Sequence, residues 1–142
     1  MPTPKANIRR CDESDVEAVL CLWSEGRSAH ASTPDRREDV DRLVSNSPAA
    51  LFVAELGNEI VGAVIAGWDG WRGNIYRLAV REGDRRAGIG RDLVRASEEY
   101  LRECGAGRVT ALVAFDDEAA GQFWDSAGYP TDSEIGRRVR NI

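Results

Sequence analysis

The stretch Val80–Arg81–Glu82–Gly83–Asp84–Arg85–Arg86–Ala87–Gly88–Ile89–Gly90–Arg91 decides how this chain is read. Ahead of it, residues 75–80 read as a strand. After it, Leu93, Ala96, Tyr100, Leu101 and Cys104 recur on one side of a helix that Gly105 would cap. The stretch is therefore a strand-to-helix turn. Its glycines let backbone N–H groups converge without a Cβ in the way. The first turn of a helix also presents unpaired N–H donors and a partial positive charge. A phosphate or pyrophosphate suits such a place, and Arg85, Arg86 and Arg91 add charge to it. Physics alone leaves two readings open, an anion cradle or a plain turn with solvated arginines. The stretch is not the dinucleotide fingerprint, since Gly88–Ile89–Gly90 lacks the third glycine, and no Gly-Lys-Ser/Thr follows to make a P-loop.

Working outward, residues 7–10 read as a first strand. Ser14 stands three residues before Glu17 at capping-box spacing, with Val16, Val19, Leu20 and Trp23 as one helical stripe up to Gly26. A polar loop follows over residues 27–32. Thr33–Pro34 opens a second helix whose inward residues are Val40, Leu43 and Val44, stopped by Ser45–Asn46–Ser47–Pro48. Residues 51–54 and 60–66 form a hairpin about Gly57–Asn58, and the second strand's nearly unbroken apolar character calls for cover on both faces. Gly67–Trp68–Asp69–Gly70–Trp71–Arg72–Gly73 reads as a turn-rich loop. Beyond the long helix, residues 109–114 form a strand, Asp116 or Asp117 caps a helix through Ala127, and residues 137–140 add a short last strand. The order predicts an α+β, mixed α/β architecture in one domain over residues 1–142, with one sheet and helices on both faces.

The bulk properties narrow the function. At 142 residues, a chain buries roughly 65–70% of its unfolded surface and builds a core without metal or disulfide staples. The 24 acids against 19 bases leave a net charge of −5, which argues against nucleic acid as a partner and suits a cationic substrate. Cys11, Cys21 and Cys104 have no metal-ligand spacing, and an odd count does not suit a secreted disulfide scaffold. No apolar run approaches a membrane span, and the first ten residues carry no signal-peptide core, so a cytoplasmic protein is expected, with no membrane partner and no metal.

Two motifs then carry a resemblance. Arg85–Arg86–Ala87–Gly88–Ile89–Gly90, following Leu78–Ala79–Val80, resembles the acetyl-coenzyme A (acetyl-CoA) loop of the GCN5-related N-acetyltransferase (GNAT) family, whose pattern is Gln/Arg-x-x-Gly-x-Gly/Ala. Downstream, Asp117, Ala120, Phe123, Trp124, Gly128 and Tyr129 are similar to that family's Asn-x-x-Ala-x-x-Phe/Leu-Tyr-x-x-x-Gly-Phe helix. The element order matches nearly end to end. The loop of residues 67–73 with its following strand further resembles small bacterial YpeA-like acetyltransferases, with Trp68 and Trp71 in place of a Tyr and a His.

The resemblance implies a mostly antiparallel sheet with one parallel, splayed strand pair, formed here by residues 75–80 and 109–114. It implies that Leu78, Ala79 and Val80 offer backbone groups to the pantetheine arm of acetyl-CoA. Arg85, Arg86, Ala87, Gly88, Ile89, Gly90 and Arg91 would hold the pyrophosphate, and Asp117 and Trp124 would line the cofactor. The N–H of Leu78 would polarise the thioester carbonyl while an amine attacks directly.

Trp124 stands where relatives often carry a tyrosine that protonates the leaving thiolate, and an indole cannot do that. Asn74 stands where many relatives keep a basic carboxylate. Glu25, Asp69, His30 and a water chain remain as alternatives for the base, and Tyr76 is a poor one with its ordinary pKa near 10. Trp68 and Trp71 read either as an aromatic wall for the acceptor or as cover for the hairpin end or a dimer contact. An acetyltransferase acting on an unidentified primary amine is the expectation. An acetyl-CoA-binding regulatory protein with little turnover is the alternative, and a partner-binding domain that keeps only the fold is a third. Dimers are common among small relatives, and the sequence leaves oligomeric state open.

Overall fold

A computed structural model describes residues 4–26, 34–46 and 48–142. The expected Thr33 cap, the polar loop of residues 27–32 with His30, and Ser47 lie outside the described residues. The chain divides into two compact units, Met1–Leu112 and Val113–Ile142.

The first unit holds one five-stranded sheet in chain order: β1 (Asn7–Arg10), β2 (Ala50–Leu56), β3 (Glu59–Trp68), β4 (Gly73–Val80) and β5 (Val109–Ala111). Its first three pairings are antiparallel, and β4 with β5 is parallel. The parallel pair needs a crossover, which α3 (Ile89–Cys104) supplies.

α1 (Val16–Glu25) and α2 (Arg37–Asn46) cover one face of the sheet. Val16, Val19, Leu22 and Trp23 of α1 pack with Val40 of α2 and with Leu51, Val53 and Ala63 of the sheet. On the other face Leu93 and Ile89 of α3 lie against Gly62, and Leu101 against Gly73. β3 is thus buried from both sides, as its apolar run requires.

Several expectations shift. The first helix is not started by a Ser14 and Glu17 box. Asp12 accepts from the Ser14 N–H at 2.8 Å, and Asp15 returns to the Asp12 N–H at 2.9 Å. A 3₁₀ turn over Glu13–Asp15 places these short carboxylates at the entry instead. Asp15 is also gripped by Arg9 at 2.6 and 3.0 Å, and Arg9 reaches Glu55 at 3.1 Å, so one guanidinium joins β1, this turn and β2. Trp68 belongs to β3, which shortens the tryptophan-rich loop to a turn. β5 stops at Ala111 rather than residue 114.

In the second unit, α4 (Glu118–Ser126) is capped by Asp117, which accepts from the Ala120 N–H at 3.0 Å. Trp124 is buried, edge-on to Phe123 and Tyr129 at ring-centroid distances of 5.3 and 5.1 Å. Residues 130–142 are exposed and form no strand, so the expected last strand at residues 137–140 is absent. That segment, Arg137–Arg138–Val139–Arg140, has only one apolar residue to bury. No helix among the described residues is long and apolar enough to cross a membrane.

Candidate active site

The candidate site grows from β4. Its parallel pairing with β5 runs from Gly73↔Val109 to Ile75↔Ala111 and stops, while β4 itself continues to Val80. From Tyr76 to Val80 no pairing of β4 with β5 remains, because β5 ends at Ala111, short of the residues 109–114 expected to form the splayed pair. Along the other edge, Ile65 faces Tyr76 and Ala63 faces Ala79, so Arg77 and Leu78 together oppose Val64. This is a β-bulge, which bends the strand and re-aims its peptide groups. Arg77 has φ +52°, a left-handed conformation unfavourable to a side-chain-bearing residue.

That conformation is tied at two points. The indole Nε1–H of Trp23 donates to the Arg77 carbonyl at 2.8 Å. The Arg77 guanidinium pairs with Asp35, ahead of α2, at 2.8 Å, where the Asp35 side chain is only 13% exposed. None of these three roles is visible in the sequence. The one signal was an arginine inside an apolar strand.

Beyond Val80 the chain makes a 3₁₀ turn at Glu82–Asp84 and enters α3. Arg86 at φ +67° and Gly88 at φ +84° turn the backbone, and no side chain caps α3. A Cβ at Gly88 would touch nothing within 4 Å, so the space over the helix entry is open. An uncapped N-terminus under open space beside an unpaired strand edge fits a pyrophosphate with an extended arm. The arginines divide their work. Arg81 is neutralised by Asp84 at 2.6 Å and Glu59 at 2.9 Å. Arg85 folds back, its Nε–H donating to the Val80 carbonyl at 3.0 Å. That carbonyl, one of the groups expected to meet the pantetheine, is thus already engaged. Arg86 and Arg91 are exposed.

At the other end of β4 the Tyr76 ring lies over Gly67, where a Cβ would fall 2.9 Å from its Cε2; only glycine lets the ring settle there. Burial pushes the Tyr76 phenol pKa up, and the charge of Asp69 adds to this, so Tyr76 stays a neutral hydroxyl. Asp69 accepts from the backbone N–H of Arg72 at 2.6 Å and of Trp71 at 2.8 Å. Those bonds hold its carboxyl below the usual carboxylate range. Asp69 is thereby the cap of the β3–β4 turn and a weakened base. Trp68 is half-buried and Trp71 is 83% exposed, so the two share neither depth nor environment. Glu25 is exposed in the last turn of α1, and the next residue, Gly26, lies against Ala79 of β4.

The model of the acetyltransferase (GNAT) family matches residues 16–129. An acetyltransferase of Pectobacterium atrosepticum is 33% identical over 134 residues, covering 93% of this chain and 94% of the relative. An aminoglycoside acetyltransferase from an uncultured soil metagenomic sample, crystallised with trehalose, is 24% identical with a TM-score of 0.76, covering 96% of each chain. AAC(6')-Iy in complex with the bisubstrate analogue CoA-S-monomethyl-acetylneamine is 15% identical with a TM-score of 0.79, covering 96% of this chain and 98% of that one. These last two likenesses show the fold.

Proposed function

Since the chain belongs to the acetyltransferase (GNAT) family, we propose that it transfers the acetyl group of acetyl-CoA to a primary amine by direct attack. The observation that carries this reading is the meeting of a strand edge released after Ile75 with an uncapped, open helix entry at Gly88. Leu78 and Ala79 would meet the pantetheine arm through their backbone. The N–H groups at the start of α3 would hold the pyrophosphate, with the exposed Arg86 and Arg91 adding charge. The Leu78 N–H would donate to the thioester oxygen as negative charge develops there. The amine nitrogen bonds to the carbonyl carbon, the carbon–sulfur bond breaks, and coenzyme A departs as the thiolate. A thiol pKa near 8.5 makes departure without a proton donor tolerable.

Glu25 is the carboxylate we assign to take the ammonium proton, because its helix end abuts β4 while Asp69 is spent on its turn. The net charge of −5 favours a cationic acceptor. In a neighbour of the same fold, AAC(6')-Iy, the bound bisubstrate analogue is CoA-S-monomethyl-acetylneamine.

Titration with acetyl-CoA by calorimetry at two temperatures tests the cofactor. Micromolar binding, about −8 kcal/mol, supports it, and silence at both temperatures refutes it. A panel of cationic amines followed by thiol release then tests turnover. Binding without turnover across the panel would favour the regulatory reading that Asn74 and Trp124 suggest.

A further inference from the structure

We propose that Trp23 is a positioning residue for acetyl transfer, its indole fixing the peptide unit whose N–H polarises the thioester. The inference rests on the Leu78 role given above. The Arg77 carbonyl and the Leu78 N–H are two ends of one peptide group. That group is trans, since no peptide bond among the described residues is cis, so its two ends point in opposite directions. Whatever grips the carbonyl sets the aim of the N–H.

A peptide in a regular strand is aimed by its neighbouring strands. Here the register with β3 is broken at Arg77 and Leu78, and the pairing with β5 ends at Ile75. The Trp23 indole holds the carbonyl of this peptide at 2.8 Å. Trp23 is only 4% exposed and packed in the core of the α1 face, so it is a rigid anchor. A donor on the carbonyl oxygen also polarises the peptide and strengthens its N–H as a donor. The pairing of Arg77 with Asp35 steadies the same residue through its side chain.

The test is Trp23→Phe, which keeps an aromatic ring and removes the N–H. Difference infrared spectra are recorded with acetyl-CoA labelled with carbon-13 at the thioester carbonyl. In the unaltered protein the bound carbonyl band is expected below its position in free acetyl-CoA. In Trp23→Phe the band should return toward the free position, with the Kd for acetyl-CoA nearly unchanged. With any amine that turns over, kcat should fall by about 10- to 100-fold at nearly constant KM, short of the loss of a whole oxyanion donor. An unchanged band with an unchanged kcat overturns the proposal. So does a parallel loss of acetyl-CoA binding, which marks Trp23 as merely structural. No shift of the band in the unaltered protein, with acetyl-CoA bound, removes the Leu78 role and the inference with it, while no binding at all removes the functional reading itself.

Should Trp23→Phe fail to fold, nitrogen-15 NMR of the unaltered protein decides. The Trp23 indole proton should exchange far more slowly than that of exposed Trp71. It should shift together with the Leu78 amide when acetyl-CoA binds, and not when coenzyme A alone does. Fast exchange of the Trp23 proton, or a Leu78 shift that it does not follow, overturns the proposal.

Discussion

Gly88→Ala and Gly83→Ala place the same methyl group at two points of one loop and should move stability in opposite directions. Neither Cβ would meet any atom within 4 Å, so sterics drop out of the comparison. What differs is the backbone. Gly88 sits at φ +84°, where an L-residue pays about 1–2 kcal/mol, partly offset by about 0.5–1 kcal/mol from a stiffer unfolded chain. Gly83 lies within the Glu82–Asp84 turn outside the left-handed region, so only the favourable effect applies.

The expected outcome is a loss of about 1 kcal/mol for Gly88→Ala and a gain of about 0.5 kcal/mol for Gly83→Ala. An unfolding entropy of about 2.1 cal/mol/K per residue amounts to roughly 0.3 kcal/mol/K for a chain this long. The melting temperatures should therefore fall by about 3 °C and rise by about 2 °C respectively. Scanning calorimetry or fluorescence melts read both. Acetyl-CoA adds a second layer. At one hundred times Kd it should stabilise the parent by about 2.7 kcal/mol. If strain in Gly88→Ala is relieved by displacing the turn, a tenfold weaker Kd would cut this to about 1.4 kcal/mol at the same concentration. A Gly88→Ala protein that melts and binds like the parent would refute the left-handed cradle.

Other outcomes follow from single features. Asp15 is held below the ordinary carboxylate range, first by its hydrogen bonds from Arg9. Its stabilisation is present above the unfolded value near 3.9 and lost as pH falls through the lower folded value. Asp15→Asn should therefore cost about 2 kcal/mol near neutral pH, between exposed and fully buried pairs, and urea melts should show the gap closing in acid. A gap that persists in acid would count against this pairing. Cys21 is exposed, whereas the Cys11 thiol is buried and pushed up to about 12 by that burial and by Asp15 and Asp12. A thiol reagent at neutral pH should label Cys21 readily and Cys11 only with global unfolding, which peptide mapping would show. Asp69→Asn keeps an oxygen for the turn's two N–H donors, so turnover should persist, while Glu25→Gln should lower kcat about 100-fold. The reverse ranking in a thiol-release assay would move the base to Asp69.

Local information determined a good part of this protein. Period and punctuation are local properties, so the apolar stripe of α1, the hairpin at Gly57–Asn58 and the long helix ending at Gly105 could be read directly. The glycine-bearing turn into α3 was equally legible, because a strand, a glycine pair and a helix entry are contiguous in the chain. Local reading failed where two signals competed within a few residues. Asp12 and Asp15 outcompeted Ser14 and Glu17 at the first helix entry, and the apolar character of residues 112–114 did not keep them in β5.

The candidate site's working geometry was beyond sequence reading, because it depends on partners far apart along the chain. The bulge at Arg77 and Leu78 appears only when β4 is set against β3, since a register break is a property of two strands. Its support comes from Trp23 and Asp35, 54 and 42 positions away, and no spacing rule links residues so distant. Asp69 shows the same limit from the other side. Its residue type suits a base, but two backbone hydrogen bonds in the folded turn make it a cap. Residue types determined which chemistry was within reach, and tertiary packing decided which peptide groups are left to perform it, because hydrogen bonds are assigned only when the chain is folded.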